Sequence, residues 1–243
     1  MKRLITGLLL VVFAGALLGG CSETVLTRGQ AANVKTVGVI SAIGNELTVR
    51  DIVAQDPAGS QGSLAAFGLD HYAIEQVNRL LADRYSLIPI AYQPDDFYQS
   101  EKERAVQSFL IGGVPVGQII SHRTQIPTGT TADTGLGADI YVVLLPGKAA
   151  LEDVEKPLYG ASLVRLAGGP NLGIVYRIIV VDGHTLQPIA NVDAMADHAV
   201  DNSYWAESFA ALSESQKQQI ADTWKQRLDR SLKPALQKLN LLP

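Results

Sequence analysis

Four side chains of metal-ligating type, Asp193, Asp197, His198 and Asp201, fall within nine residues, and Asp182 and His184 stand just before them. Carboxylate oxygens of this kind suit Ca²⁺ or Mg²⁺, and an added imidazole brings Zn²⁺ within reach. Were the stretch helical, Asp197 and Asp201 would share a face. The spacing argues the other way. It matches neither a His-Glu-x-x-His pair nor an EF-hand loop, and aspartates in loops more commonly cap turns. The sequence assigns no metal ligand.

Other chemistry is as thinly represented. A hydrolase serine would sit on a Gly-x-Ser-x-Gly elbow. The nearest fragments, Gly59-Ser60-Gln61-Gly62-Ser63 and Gly160-Ala161-Ser162, lack that spacing and read as loop and strand. Gly112-Gly113 and Gly168-Gly169-Pro170 fit neither a dinucleotide fingerprint nor a P-loop and read as turns. The carboxylate pairs Asp95-Asp96 and Glu152-Asp153 read as loops or helix starts, where they complement backbone N–H groups. Phe97-Tyr98 and Tyr204-Trp205 read as packing residues ahead of a partner surface. No catalytic residue, cofactor or cofactor-binding residue is assigned, and the chain is read as non-enzymatic.

Composition narrows the class. The chain has 243 residues, 47% hydrophobic and 18% charged, with 20 Lys+Arg against 24 Asp+Glu. That is enough apolar material for a sizeable core, which excludes a disordered chain. A formal charge of −4 argues against a nucleic-acid partner, because phosphate binding calls for excess cations. The one cysteine excludes an intramolecular disulfide and any multi-cysteine metal site.

Position makes that cysteine informative. Met1-Lys2-Arg3 precedes an apolar run from Leu8 to Leu18, which ends in Gly19-Gly20. This is the pattern of a secretory signal, and the run is short of the ~20 apolar residues a bilayer span requires. Leu18-Gly19-Gly20-Cys21 resembles the lipobox of bacterial lipoproteins. The resemblance implies cleavage between Gly20 and Cys21, a diacylglycerol on the thiol and acylation, commonly palmitate, of the freed amine. Two or three chains anchor a protein stably where one does not. Ser22, in place of Asp, implies the outer membrane of a Gram-negative host, with the domain facing the periplasm. Loss of Lys2 and Arg3 with the signal leaves 18 basic against 24 acidic residues, or −6. The expected organisation is signal peptide 1–20, lipidated tether 21–33 and folded domain 34–243.

Periodicity supplies the elements. Lys35 to Ala42 predicts a buried strand and Glu46 to Ile52 its hairpin partner. Gln55 to Gly68 reads as a loop. Asp70 is the expected N-cap of a helix carrying Ile74, Val77 and Leu81 inward. Ser86 to Tyr92 predicts a strand that Pro89 confines to an edge. A helix is expected from Asp95 or Asp96 to Leu110, then a Gly/Thr-rich loop from Thr124 to Gly137. Strands at 140–145, 158–166 and 172–181 follow, and Asp182-Gly183 predicts a type I′ turn folding the last onto 185–192 as a meander. Ser213 to Gln216 has capping-box spacing. Behind it Ile220, Trp224, Leu228, Leu232, Leu236 and Leu239 form one helical stripe that Pro234 should kink or divide. The polar face is basic: Lys217, Lys225, Arg227, Arg230, Lys233 and Lys238 against Glu214, Asp222 and Asp229. It reads as a solvated face, with anionic headgroups or an acidic partner as the alternative.

The predicted fold class is α/β: a single two-layer sandwich, mixed sheet with a C-terminal meander and a closing amphipathic helix. Its element order over about residues 35–240 resembles periplasmic lipoproteins related to the curli-secretion pore subunit and the penicillin-binding-protein activators, and the TolB amino-terminal domain shares that style. The resemblance transfers no functional residue. The expected function is a non-catalytic envelope module, held to the membrane through Cys21, that binds an envelope protein partner or assembles with itself. The alternatives are an envelope hydrolase and a lipid- or small-ligand-binding component of a transport system.

Overall fold

The computed structural model describes residues 23–44, 46–54, 59–97, 110–111, 114–115, 137–149 and 158–243. The signal, Gly20, Cys21, Ser22, most of the expected 95–110 helix and 124–137 loop, Tyr98, Gly112-Gly113 and Glu152-Asp153 lie outside the described residues. The elements in chain order are α1 (Arg28–Asn33), β1 (Thr36–Ser41), β2 (Glu46–Asp51), β3 (Ser60–Ser63), α2 (Leu69–Leu81), β4 (Ser86–Ile88), β5 (Leu110–Ile111), β6 (Val114–Pro115) and β7 (Ile140–Pro146). β8 (Lys148–Ala149), β9 (Leu158–Tyr159), β10 (Ala161–Leu166), β11 (Gly169–Asp182), β12 (Pro188–Ala199) and α3 (Glu214–Lys238) complete them.

The long strand β11 is the spine of one mixed, eight-stranded sheet. Along one edge it pairs with β12 in an extended antiparallel ladder. Its other edge is shared: β10 occupies residues 169–174 and β7 occupies 176–182, both antiparallel. Outward from β10 lie β2, parallel, and β3, antiparallel. From β7 lie β1 and β4, both parallel. Two half-sheets are therefore hung on one spine, as an α/β sandwich with a strand meander.

Alternation explains which face is covered. Leu172, Ile174, Tyr176 and Ile178 of β11 point into the main core, whereas Ile179 and Val181 point into a smaller one beneath Tyr92 and Phe97. The main core is closed by α2, through Ala73, Val77 and Leu81, and by α3. All five stripe residues from Ile220 to Leu236 are fully buried on α3, as is Leu239 just beyond it. Each large apolar side chain so buried contributes about 1.5–3 kcal/mol. The capping box forms as expected: Gln216 N–H donates to Ser213 Oγ at 3.2 Å, and Ser213 N–H donates to Gln216 Oε1 at 2.9 Å. Pro234 does not divide the helix, which runs through it to Lys238. It is tolerated on the exposed face, where the unmatched carbonyl of the preceding turn meets water.

Four expectations about the sheet change. β1 and β2 form no hairpin; each lies parallel to a distant strand, and the chain crosses between the half-sheets after Ser41. The crossing is stable because its backbone amides find acceptors outside it, Ala42 N–H donating to Leu144 O at 2.9 Å. Within the expected 55–68 loop, Ser60–Ser63 adds to β2 as an edge strand. Asp182-Gly183 is not a two-residue turn: residues 183–187 link β11 to β12, with Leu186 at φ 58°. Gly183 serves close approach, since a Cβ there would lie 1.8 Å from Ala138 O. Finally, β12 continues seven residues past the expected end at Val192.

Residues 23–33, expected as a tether, pack on the domain. Thr27 and Gln30 form a capping box that starts α1. Leu26 and Ala31 are buried in the main core, and Asn240 Nδ2 donates to Leu26 O at 2.6 Å. Thr24 bridges to Asn191 on the outer edge of β12, and Glu23 is ion-paired with Lys238 at the end of α3. Two buried apolar side chains and this polar frame offset the entropy of ordering the segment.

Candidate functional site

The sequence-derived candidates separate in space. Asp193 and Asp197 lie on strand β12, not on a helix, and point the same way about 13 Å apart along it. His198 points to the opposite face. His184 sits beyond the other end of β12, about 33 Å of strand away from His198. Among the described residues, no three His, Cys, Asp or Glu side chains come together as a metal site requires.

Asp182, Asp193 and Asp201 each have local work. Asp182 accepts from His184 N–H at 3.0 Å, Thr185 N–H at 2.7 Å and Thr185 Oγ1 at 2.9 Å, building the link between β11 and β12. Burial would raise its pKa, but those donors outweigh burial and hold the carboxyl below its ordinary range. Asp201 caps a short 3₁₀ turn through the hydroxyl and amide of Ser203, which lower its pKa. Asp193 pairs with Arg177 across the ladder, Arg177 Nε donating to Oδ1 at 2.5 Å and a second nitrogen to Oδ2 at 2.6 Å. This is a bidentate, charge-assisted pair. Tyr204 and Trp205 pack against the main core, with Arg165 over the Trp205 ring at 5.4 Å. Phe97 is fully buried in the smaller core.

Two further arrangements carry little signal in the sequence. The first stands at the carboxyl end of β1, within the parallel β4-β1-β7 triplet. Asp70 does not cap α2; Gly68, in the left-handed region, precedes the helix, and the Asp70 side chain turns to the crossing loop. Its Oδ1 accepts from Ser41 Oγ at 2.7 Å, Ile43 N–H at 2.7 Å and Gly44 N–H at 3.3 Å. Tyr92 Oη accepts from Ser41 N–H and donates to Ser41 O, at 2.8 and 2.7 Å. Burial, with the Asp70 charge adding to it, pushes the Tyr92 phenol far above its ordinary pKa. Beside it lies an open cleft of about 470 Å³ lined by His71, Ile74, Ile90, Ala91, Tyr92, Gln93 and Pro94. The Asp70 bonds satisfy loop backbone, so the cluster holds the crossing rather than presenting a nucleophile.

The second is a groove of about 450 Å³ between β12 and α3. Val192, Ala194 and Ala196 floor it on the strand side, with Met195 and Asp197 at its rim. Spacings of three and four residues place Arg227, Arg230, Ser231, Pro234 and Lys238 along one flank of α3. Ser231 is fixed by a 2.8 Å hydrogen bond with Tyr176 Oη from the core. Among the described residues, neither Arg227 nor Arg230 forms an ion pair. Met195, on the same groove, is exposed to 52%. The small alanines that leave room for α3 on the strand carry a weak pattern signal, so periodicity does not mark the groove.

No family model matches the sequence, and no curated protein matches it. Among solved structures it is similar to a PelC dodecamer from Paraburkholderia phytofirmans, at 10% identity over 91% of this chain and 96% of that one, with a TM-score of 0.30. It is also similar to lipoprotein GNA1162 from Neisseria meningitidis, at 7% identity over 81% of this chain and 99% of that one, with a TM-score of 0.30. A third is the hypothetical protein CT253 from Chlamydia trachomatis, at 14% identity over 80% of this chain and 98% of that one, with a TM-score of 0.30. The assembly states and roles of these proteins are their own.

Proposed function

We propose that this chain is a non-catalytic envelope lipoprotein, a folded module held at a membrane through lipidated Cys21 that binds an envelope protein. The observation that carries the reading joins sequence to structure. The lipobox ends at Cys21, and by Glu23 and Thr24 the chain is already fixed to α3 and β12. A lipid on Cys21 would hold the domain against its membrane with almost no slack. Asp182, Asp201 and Asp193 are engaged in turn, cap and ladder contacts, which supports binding over turnover.

Metabolic labelling with palmitate, followed by membrane fractionation, tests the anchor: wild type should label and Cys21→Ser should not. In-cell cross-linking from exposed positions away from the β12–α3 groove tests the partner. One dominant envelope adduct, or a self-adduct, supports the reading; turnover of a hydrolase substrate by the purified chain opposes it.

A further inference from the structure

We propose that the β12–α3 groove faces the membrane and that Arg227 and Arg230 dock on anionic phospholipid headgroups of the bilayer holding Cys21. The inference rests on the anchor reading above and adds an orientation to it.

Chain length is the first argument. Cys21 precedes Glu23 by two residues, a reach of at most about 7 Å. Glu23 is held to Lys238, which itself lines the groove. Thr24 is held to Asn191, four residues before Met195 on the same strand. A lipid on Cys21 therefore enters the bilayer beside this groove.

Charge is the second. Asp193 is matched by Arg177 and Glu23 by Lys238. That leaves Asp197 as the one free-standing carboxylate that lines the groove with Arg227 and Arg230, among the described residues. Arginine forks match phosphate oxygens, and the chain as a whole is acidic, so a local cationic flank is not a by-product of composition.

The third is apolar. Among the described residues only three large hydrophobic side chains are exposed, and two of them, Val25 and Met195, flank this place. Val25 follows the bridge residue Thr24, and Met195 rims the groove. Apolar tips among cations suit the headgroup region, where the tips enter and the charges stay at the phosphate level.

The test uses the lipidated full chain reconstituted in phosphatidylcholine vesicles with and without phosphatidylglycerol. With Cys21 acylated, a thiol introduced by Met195→Cys is free for an environment-sensitive dye; Val53→Cys, 60% exposed, is the control. Val53 lies near Arg165, about 17 Å along β11 from the Met195 register and three strands, about 14 Å, across the sheet from it. Headgroup-depth quenchers should quench the dye at position 195 and spare the one at 53, and phosphatidylglycerol should strengthen the effect. Each cation near an anionic surface contributes about fivefold. Arg227→Ala with Arg230→Ala should therefore lower the docked-to-undocked ratio about 25-fold. About 1 M salt should do the same, since screening then acts within ~3 Å. Equal quenching at both positions, or no response to phosphatidylglycerol, overturns the proposal while leaving the anchor intact. A protector of position 195 that is another protein, cross-linked there in its place, also overturns it. A chain whose mass shows no acyl groups overturns both readings.

Discussion

Glu23 and Lys238, from opposite ends of the sequence, are joined by an ion pair that fixes the start of the described chain to the last turn of the closing helix. Beside it Asn240 Nδ2 grips the Leu26 carbonyl. The segment from Glu23 to Asn33 is thus a part of the fold.

The ion pair itself contributes little. Both side chains keep contact with water, and exposed pairs are worth about 0.2–1 kcal/mol. A double-mutant cycle of Glu23→Ala and Lys238→Ala, read by urea unfolding, should return a coupling in that range. Leu26→Ala should cost more, about 2–5 kcal/mol, because it empties a fully buried site.

Asp70 is expected to matter more than any surface charge. Asp70→Ala orphans three donors at the strand crossing, one of them the hydroxyl of fully buried Ser41. At about 1–3 kcal/mol for a buried group left unsatisfied, the total loss should be about 3 kcal/mol or more. Asp70→Asn keeps an acceptor oxygen and should lose less. Chemical denaturation of both variants checks the order.

Alkaline stability should fall between pH 10 and pH 12. Burial raises the pKa of Tyr141 and Tyr176 from 10.0 to about 12, with the hydrogen bond to Ser231 opposing it in Tyr176. Both phenols bind their protons more tightly folded than unfolded. Their contribution is complete below pH 10 and is lost as pH rises through 12. Absorbance at the phenolate band should show a cooperative late step that coincides with loss of circular dichroism.

Acid acts through different groups. In Asp139, burial alone would raise the pKa, but the amides of Lys35 and Thr36, at 2.7 and 2.9 Å, and the Thr36 side chain bring it below 3.8. Asp182 is lowered by its turn donors. A lowered folded-state pKa gives stability that is present above pH 3.8 and lost as pH falls through the depressed value. Asp139→Asn should flatten the acid limb of the stability profile measured by thermal melts.

Local signals are readable in this sequence and long-range ones are not. The α3 stripe and its capping box follow from spacing alone, because a helix satisfies its own backbone and needs only one covering surface. Strand β7 and the 172–181 part of β11 are legible for a similar reason: each is a largely apolar stretch rich in Val and Ile, the pattern of a buried strand. The partner of β2 is not legible, since a parallel pairing with β10 depends on a crossing whose stability comes from Asp70. The length of β12 is hidden because its inner face past Val192 is alanine and its outer face is Asp, Met and Asp. Residues 23–33 look like a tether by composition, yet Thr27-Arg28-Gly29-Gln30 carries capping-box spacing, the one sign of α1 in the sequence. Of the candidate surface, the sequence shows that α3 is basic; which of its cations face β12 needs the register of helix on sheet.

The central claim is that Cys21 becomes a lipidated N-terminus set directly against the folded domain. Mass spectrometry of the N-terminal peptide from chain extracted out of host membranes tests it most directly. The expected product is a peptide beginning at Cys21 that carries a thioether-linked diacylglycerol, with an acylated amine where the host performs that step. A peptide that begins elsewhere, or an unmodified Cys21 thiol in the mature chain, would contradict it.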